Sequence, residues 1–181
     1  MQPAIIKNRA SIARVCREGC IFAEKFKFTD MAKEIERKYL VTDDSYRSLA
    51  ASRAEISQGY ISADPDHTVR VRIRDSRGFI TVKTRNIGAV RNEWEYEIPL
   101  ADARAMLAAA CSSVLSKTRY IVPATDGLRW EVDEFHGCLD GLVVAEIELP
   151  REDYPVDSPA FIGREVTGDP RYYNSNLAAQ V

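Results

Sequence analysis

No apolar run in this chain approaches the ~20 residues that a helical membrane span needs. The four cysteines, Cys16, Cys20, Cys111 and Cys138, form no Cys-x-x-Cys pair and no Cys/His cluster, so a zinc site is not expected. Without a secretory leader they read as free thiols in a reducing cytoplasm. A net charge of −2 leaves no overall basic excess, which speaks against nucleic acid or a membrane surface as partner. A Gly-rich loop of the Walker type is missing as well. His67 and His136 stand beside turns with no ligand partner in spacing and read as surface residues. Cys111, Ser112 and Ser113 lack the His/Asp context of a nucleophilic triad. What remains is a chain of 181 residues, 45% hydrophobic and 29% charged, which suits one soluble domain with a real core.

Residues 1–30 mix Lys7, Arg9, Arg14, Arg17, Lys25 and Lys27 with short apolar pieces and are expected to be a poorly ordered extension. Met31, directly before the Glu-rich stretch, makes a natural start. From there the pattern predicts a strand over 32–41, then a helix capped by Asp43 or Asp44 and carrying Tyr46, Leu49 and Ala50. Strands follow over 55–62, 68–75 and 78–85, the last two a hairpin across Ser76-Arg77, and over 91–100. The alanine-rich stretch 102–110 reads as a helix. Further strands are expected over 114–123, 128–135 and 142–149, and a short helix around 171–179. About eight strands joined mostly by hairpin-length connections, with few helices, make mainly antiparallel α+β the fold class.

In a strand, alternate side chains share a face. Glu34, Glu36 and Lys38 fall on one side of the first strand, and Ile35 and Tyr39 on the other. The same division recurs. Arg70, Arg72 and Arg74 oppose Val69, Val71 and Ile73; Lys83 and Arg85 oppose Val82. Glu93, Glu95 and Glu97 oppose Trp94, Tyr96 and Ile98; Lys117 and Arg119 oppose Tyr120 and Val122. Arg129, Glu131 and Asp133 oppose Trp130 and Val132, and Glu146 and Glu148 oppose Ile147 and Leu149. A merely wet surface would also use Ser, Thr, Asn and Gln, whereas this face is nearly all charge. Two geometries fit: an open sheet with one side in water, or a closed barrel with a charged lumen. Enclosed charges of both signs are costly unless paired or used on ions and ligands. Carboxylates suit Mg2+ or Mn2+, and guanidinium and ammonium groups suit phosphate oxygens. Trp94 and Trp130 are expected to pack under covering helices.

These residues resemble the CYTH domains, also called triphosphate tunnel metalloenzymes. The resemblance rests on Glu34-x-Glu36-x-Lys38, the Arg70-x-Arg72 pair, Thr81-Val82-Lys83, and the run Arg91 to Ile98. It rests also on Lys117-Thr118-Arg119, Trp130 to Asp133 and Glu146-x-Glu148. Gln58-Gly59-Tyr60 and the tail from Gly163 to Asn174 resemble the short bacterial members. The resemblance covers about residues 31–180. It implies a closed eight-stranded antiparallel tunnel with flanking helices, hydrolysing inorganic triphosphate or a related triphosphate compound with Mg2+ or Mn2+. Adenylate cyclisation, thiamine or nucleoside triphosphate hydrolysis, and non-catalytic polyphosphate binding stay open, as does a homodimer. By the same resemblance, Lys38, Arg70, Arg72, Lys83, Lys117 and Arg119 would hold phosphates. Glu34, Glu36, Glu95, Glu97, Asp133, Glu146 and Glu148 would hold metal, with Glu93 as the spare on its strand. Lys38 and Tyr60 would orient the attacking water, and Arg74, Arg85 and Glu131 would sit at the rim.

Overall fold

The computed structural model describes residues 33–85 and 90–181, with residues 33, 34, 90 and 91 as backbone only. The expectation for residues 1–30 therefore lies outside the described residues. The chain runs β1 (Lys33–Val41), α1 (Tyr46–Leu49), β2 (Ser52–Ser62), β3 (His67–Arg74), β4 (Arg77–Thr84) and β5 (Val90–Ile98). It continues α2 (Leu100–Ala109), β6 (Val114–Pro123), β7 (Arg129–Phe135), β8 (Val143–Glu148), β9 (Ile162–Glu165) and α3 (Asn174–Ala178). The strands form one antiparallel sheet in the order β5-β4-β3-β2-β6-β7-β8-β1-β9. The beginning of β1 turns back onto β5 at Lys33–Asn92, Glu34–Arg91 and Ile35–Val90. Eight strands thus curl into a ring whose seam is this short ladder, and β9 lies outside it against β1.

Alternation decides which side chains face out. Tyr39, Val122, Trp130, Val132, Ala145 and Ile147 form an apolar outer surface, covered by Tyr46 of α1 and by Phe161. Trp130 is fully buried there, edge-on to Tyr39 with ring centroids 5.4 Å apart. On the far side, α2 lays Ala103 and Leu107 over Val71, Ile73, Ile80 and Ile98. Burying a side chain such as Leu107 contributes about 1.5–3 kcal/mol to holding this helix in place. Its close approach needs Gly78, where a Cβ would stand 2.6 Å from that of Ala103.

Several expectations shift. The β3–β4 turn falls at Asp75-Ser76, one residue earlier than read, because Arg74 pairs with Arg77 and Asp75 takes the left-handed conformation (φ 54°). The first helix is a single turn with no side-chain cap. Trp94 does not pack under a helix: it is 37% exposed and Tyr96 is 61% exposed, because α2 folds back over β3 and β4 and covers β5 only at Ile98. The strand β9 was not foreseen. It gives Arg37 an outward partner in Glu165, and the chain just beyond it supplies Val166 N–H to the Lys38 carbonyl at 2.8 Å. Among the described residues, no helix is long and apolar enough to cross a membrane.

Candidate active site

The inner face is not charged along its whole length. Beyond Lys38, Lys117, Asp133 and Glu146 the same rows continue as Leu40, Leu115, Phe135 and Val144, which close that end around Leu177 and Ala178 of α3. The charged remainder surrounds a cavity of about 1100 Å³. Its walls differ in sign.

On the β3–β4–β5 wall, Arg70, Arg72, Arg74 and Lys83 outnumber Glu93 and Glu95. Arg72 Nη2 donates to both Glu95 oxygens at 2.8 Å, Arg70 Nη2 reaches the same carboxylate at 3.2 Å, and Thr81 Oγ1 donates to it at 2.8 Å. Lys83 Nζ lies 2.6 Å from Glu93. Burial opposes ionisation of Glu95, but Arg72, Thr81 and Arg70 outweigh it and lower its pKa. Burial and the neighbouring Arg70 lower that of Arg72. The Nε atoms of both arginines are buried with no acceptor. Leaving such donors unmatched is expensive.

On the β6–β7–β8–β1 wall the balance reverses, with Glu36, Glu131, Glu146 and Glu148 against Lys38, Arg119 and Arg129. Lys38 Nζ sits 2.6 Å from Glu146 and 3.2 Å from the Tyr172 carbonyl. Burial disfavours the Lys38 charge, yet Glu146 and Glu36 together raise its pKa. Glu146 is held well below the carboxylate range, burial being overcome by Lys38 and Arg119. Two register pairs set like charges directly across from each other: Glu36 with Glu148, and Glu131 with Glu146. Facing carboxylates repel; Arg119, paired with both Glu131 and Glu146, offsets this at the second pair, and a divalent cation would offset it at the first. Among the described residues no three His, Cys, Asp or Glu side chains converge on one point. The oxygen-only donor set fits a hard cation such as Mg2+ or Mn2+.

Most of the expected site residues meet here, but not all. Glu36, Lys38, Tyr60, Arg70, Arg72, Lys83, Glu95, Arg119, Glu146 and Glu148 line the cavity. Glu97, expected to face metal beside Glu95, does not; it pairs with Arg77 in solvent, because this part of β5 runs past the lumen alongside the start of β4. Glu93 occupies the inner position in its place. Lys117 and Asp133 are ion-paired to each other, 1% exposed, and line no part of the cavity. Arg74, Arg85 and Glu131 all line the cavity, Arg85 paired with Asp66 and Glu131 with Arg119 and Arg129. The Glu34 side chain lies outside the described set.

Four residues outside the expected site set contribute here. Tyr173, Asn174 and Ser175 line the cavity. Gln58 is fully buried on the inner face, donating from Nε2 to the Tyr60 hydroxyl at 3.1 Å while its Oε1 has no partner. The alternation that placed Gln58 inside could have flagged it.

Comparison with known proteins adds an independent line. The model of the CYTH domain family matches residues 32–173. A curated inorganic triphosphatase of Acetivibrio thermocellus is 51% identical over 148 residues, spanning 81% of this chain and 94% of that protein. One from Nitrosomonas europaea is 34% identical over 151 residues, spanning 82% and 98%. A crystal structure of an inorganic triphosphatase superposes with a TM-score of 0.59 at 31% identity, covering 83% of this chain and 97% of the other.

Proposed function

The chain belongs to the CYTH domain family, and on that premise we propose that it is a divalent-metal-dependent triphosphatase acting on inorganic triphosphate or a closely related triphosphate compound. The observation that carries the reading is the division of the lumen. A cationic wall with unmatched buried guanidinium donors faces a carboxylate wall whose glutamates oppose one another in register.

Arg70, Arg72 and Lys83 bind phosphate oxygens, exchanging Glu95 and Glu93 for a substrate that brings more negative charge. Arg119 and Lys38 approach from the other wall, so the triphosphate is held between cations that also stabilise charge on the departing diphosphate. Glu36, Glu146 and Glu148, which line the cavity, would hold the metal. Mg2+ or Mn2+, when bound, polarises phosphate oxygens and supplies positive charge to the reaction. Lys38 orients the attacking water from a charged ammonium held by Glu146, and Tyr60, fixed by Gln58, borders the same space. Free Cys111 and Cys138 fit a reducing cytoplasm.

Phosphate release from tripolyphosphate, ATP and thiamine triphosphate, each with Mg2+ and with Mn2+, tests this, with detection of cyclic AMP alongside. Tripolyphosphate is expected to be the best substrate, without cyclic product. Cyclic AMP formation, or binding without turnover, would overturn the proposal.

A further inference from the structure

Asp133 stands in the same inner row as the glutamates of the metal wall, yet its surroundings differ from theirs. Arg119 grips it with a two-pronged contact, Nε to Oδ1 and Nη2 to Oδ2, each 2.6 Å. Lys117 Nζ donates to Oδ2 as well. Both oxygens are thereby engaged by charged donors, and the carboxylate is 1% exposed. Lys117 in turn lies over the Phe135 ring at 5.5 Å and within 3.5 Å of Asn174 Oδ1. The cavity is therefore met by Arg119, which reaches Glu146 at 3.2 Å, and not by the two groups behind it.

We propose that Asp133 is a positioning residue rather than a metal ligand, and that with Lys117 it forms a buried mount fixing the Arg119 guanidinium toward the triphosphate. This rests on the functional reading above for what Arg119 holds. A bidentate contact fixes the plane of a guanidinium as well as its charge. Lys117 contributes the second positive charge that keeps Asp133 ionised in a dry setting, and Asn174 ties the mount to the C-terminal segment.

The test measures two affinities that need no turnover: Mn2+ alone, by titration without substrate, and tripolyphosphate alone, in EDTA. Asp133→Asn is expected to keep Mn2+ affinity within about threefold of wild type. It should weaken tripolyphosphate about tenfold, the loss of roughly one charge-assisted hydrogen bond. Glu148→Gln should show the reverse pattern. In an Arg119→Ala background, Asp133→Asn should add little, because the two act as a unit. A tenfold or greater loss of Mn2+ affinity in Asp133→Asn, or unchanged tripolyphosphate affinity, overturns the inference. Should that variant not fold, Lys117→Met/Asp133→Asn removes both buried charges together and carries the same expectations. A wild-type protein that binds no Mn2+ and releases no phosphate defeats the functional reading instead, and the metal-free titration still decides the role of Asp133.

Discussion

Glu148→Gln should stabilise the metal-free protein while blunting its response to metal. Glu36 and Glu148 are register partners across β1 and β8, so their carboxylates share one narrow stretch of the lumen wall. Two unit charges roughly 5 Å apart in a water-like dielectric repel by about 0.8 kcal/mol, within the ~0.2–1 kcal/mol found for facing strand pairs. Glutamine keeps the shape and removes the repulsion. A domain of this size gains about 2–4 °C per kcal/mol, so melting in EDTA should rise by roughly 1–4 °C. With Mn2+ at a hundred times its dissociation constant, wild type gains ~2.7 kcal/mol. A tenfold weaker site gains about 1.4 kcal/mol at the same concentration, so the metal-induced shift should fall to about half. Thermal melts of both proteins in EDTA and in Mn2+ decide it. A variant that melts below wild type in EDTA, or shows the full Mn2+ shift, refutes the view that these glutamates are set against each other for a cation.

Arg72→Ala should cost about two orders of magnitude or more in kcat/KM, since two charge-assisted bonds to phosphate are worth ~1.5–3 kcal/mol each. Its fold should stay within about 1 kcal/mol by urea denaturation, because Glu95 keeps Arg70 and Thr81. Stability in EDTA should be flat from about pH 7 to 5 and fall below about pH 4. Glu146, Glu95 and Asp133 all have lowered pKa values in the fold, so their contribution is present above the unfolded carboxylate range and is lost as acid forces them to protonate. Urea midpoints that rise toward pH 3 would contradict this. Gly59→Ala should destabilise by ~1–3 kcal/mol in the same assay, since a Cβ there meets Cys111 Cβ at 2.8 Å and the Ser113 carbonyl oxygen at 2.9 Å. Wild-type stability in that variant would mean β2 and the segment around Cys111 can part without cost.

The strands and the inward rows were legible because a strand's period of two writes its two faces directly into the sequence. Rows such as Arg70-x-Arg72 and Glu146-x-Glu148 keep that alternation without a break. Depth along the lumen was not legible. The alternation puts Glu97 on the same face as Glu95, and only the pairing of β5 with β4 shows that it has passed the rim. The period likewise cannot show that Lys117 and Asp133 are sealed behind Arg119, which depends on Phe135 and on Asn174 from the far end of the chain. The strand β9 escaped notice because Ile162-Gly163-Arg164-Glu165 is too short to show a period and follows Pro155 and Pro159. It exists because the free edge of β1 needs partners, a tertiary demand with no local signature. The sequence pattern does not show that α2 covers only part of the sheet and leaves Trp94 exposed.

The most direct measurement is release of orthophosphate from tripolyphosphate by the wild-type protein, with Mg2+ or Mn2+ and then with EDTA, beside Arg72→Ala and Glu36→Gln. Rapid release that EDTA abolishes, lost in both folded variants, is the predicted result. Release that survives EDTA or both substitutions, or no release by wild type with either metal, would contradict the account.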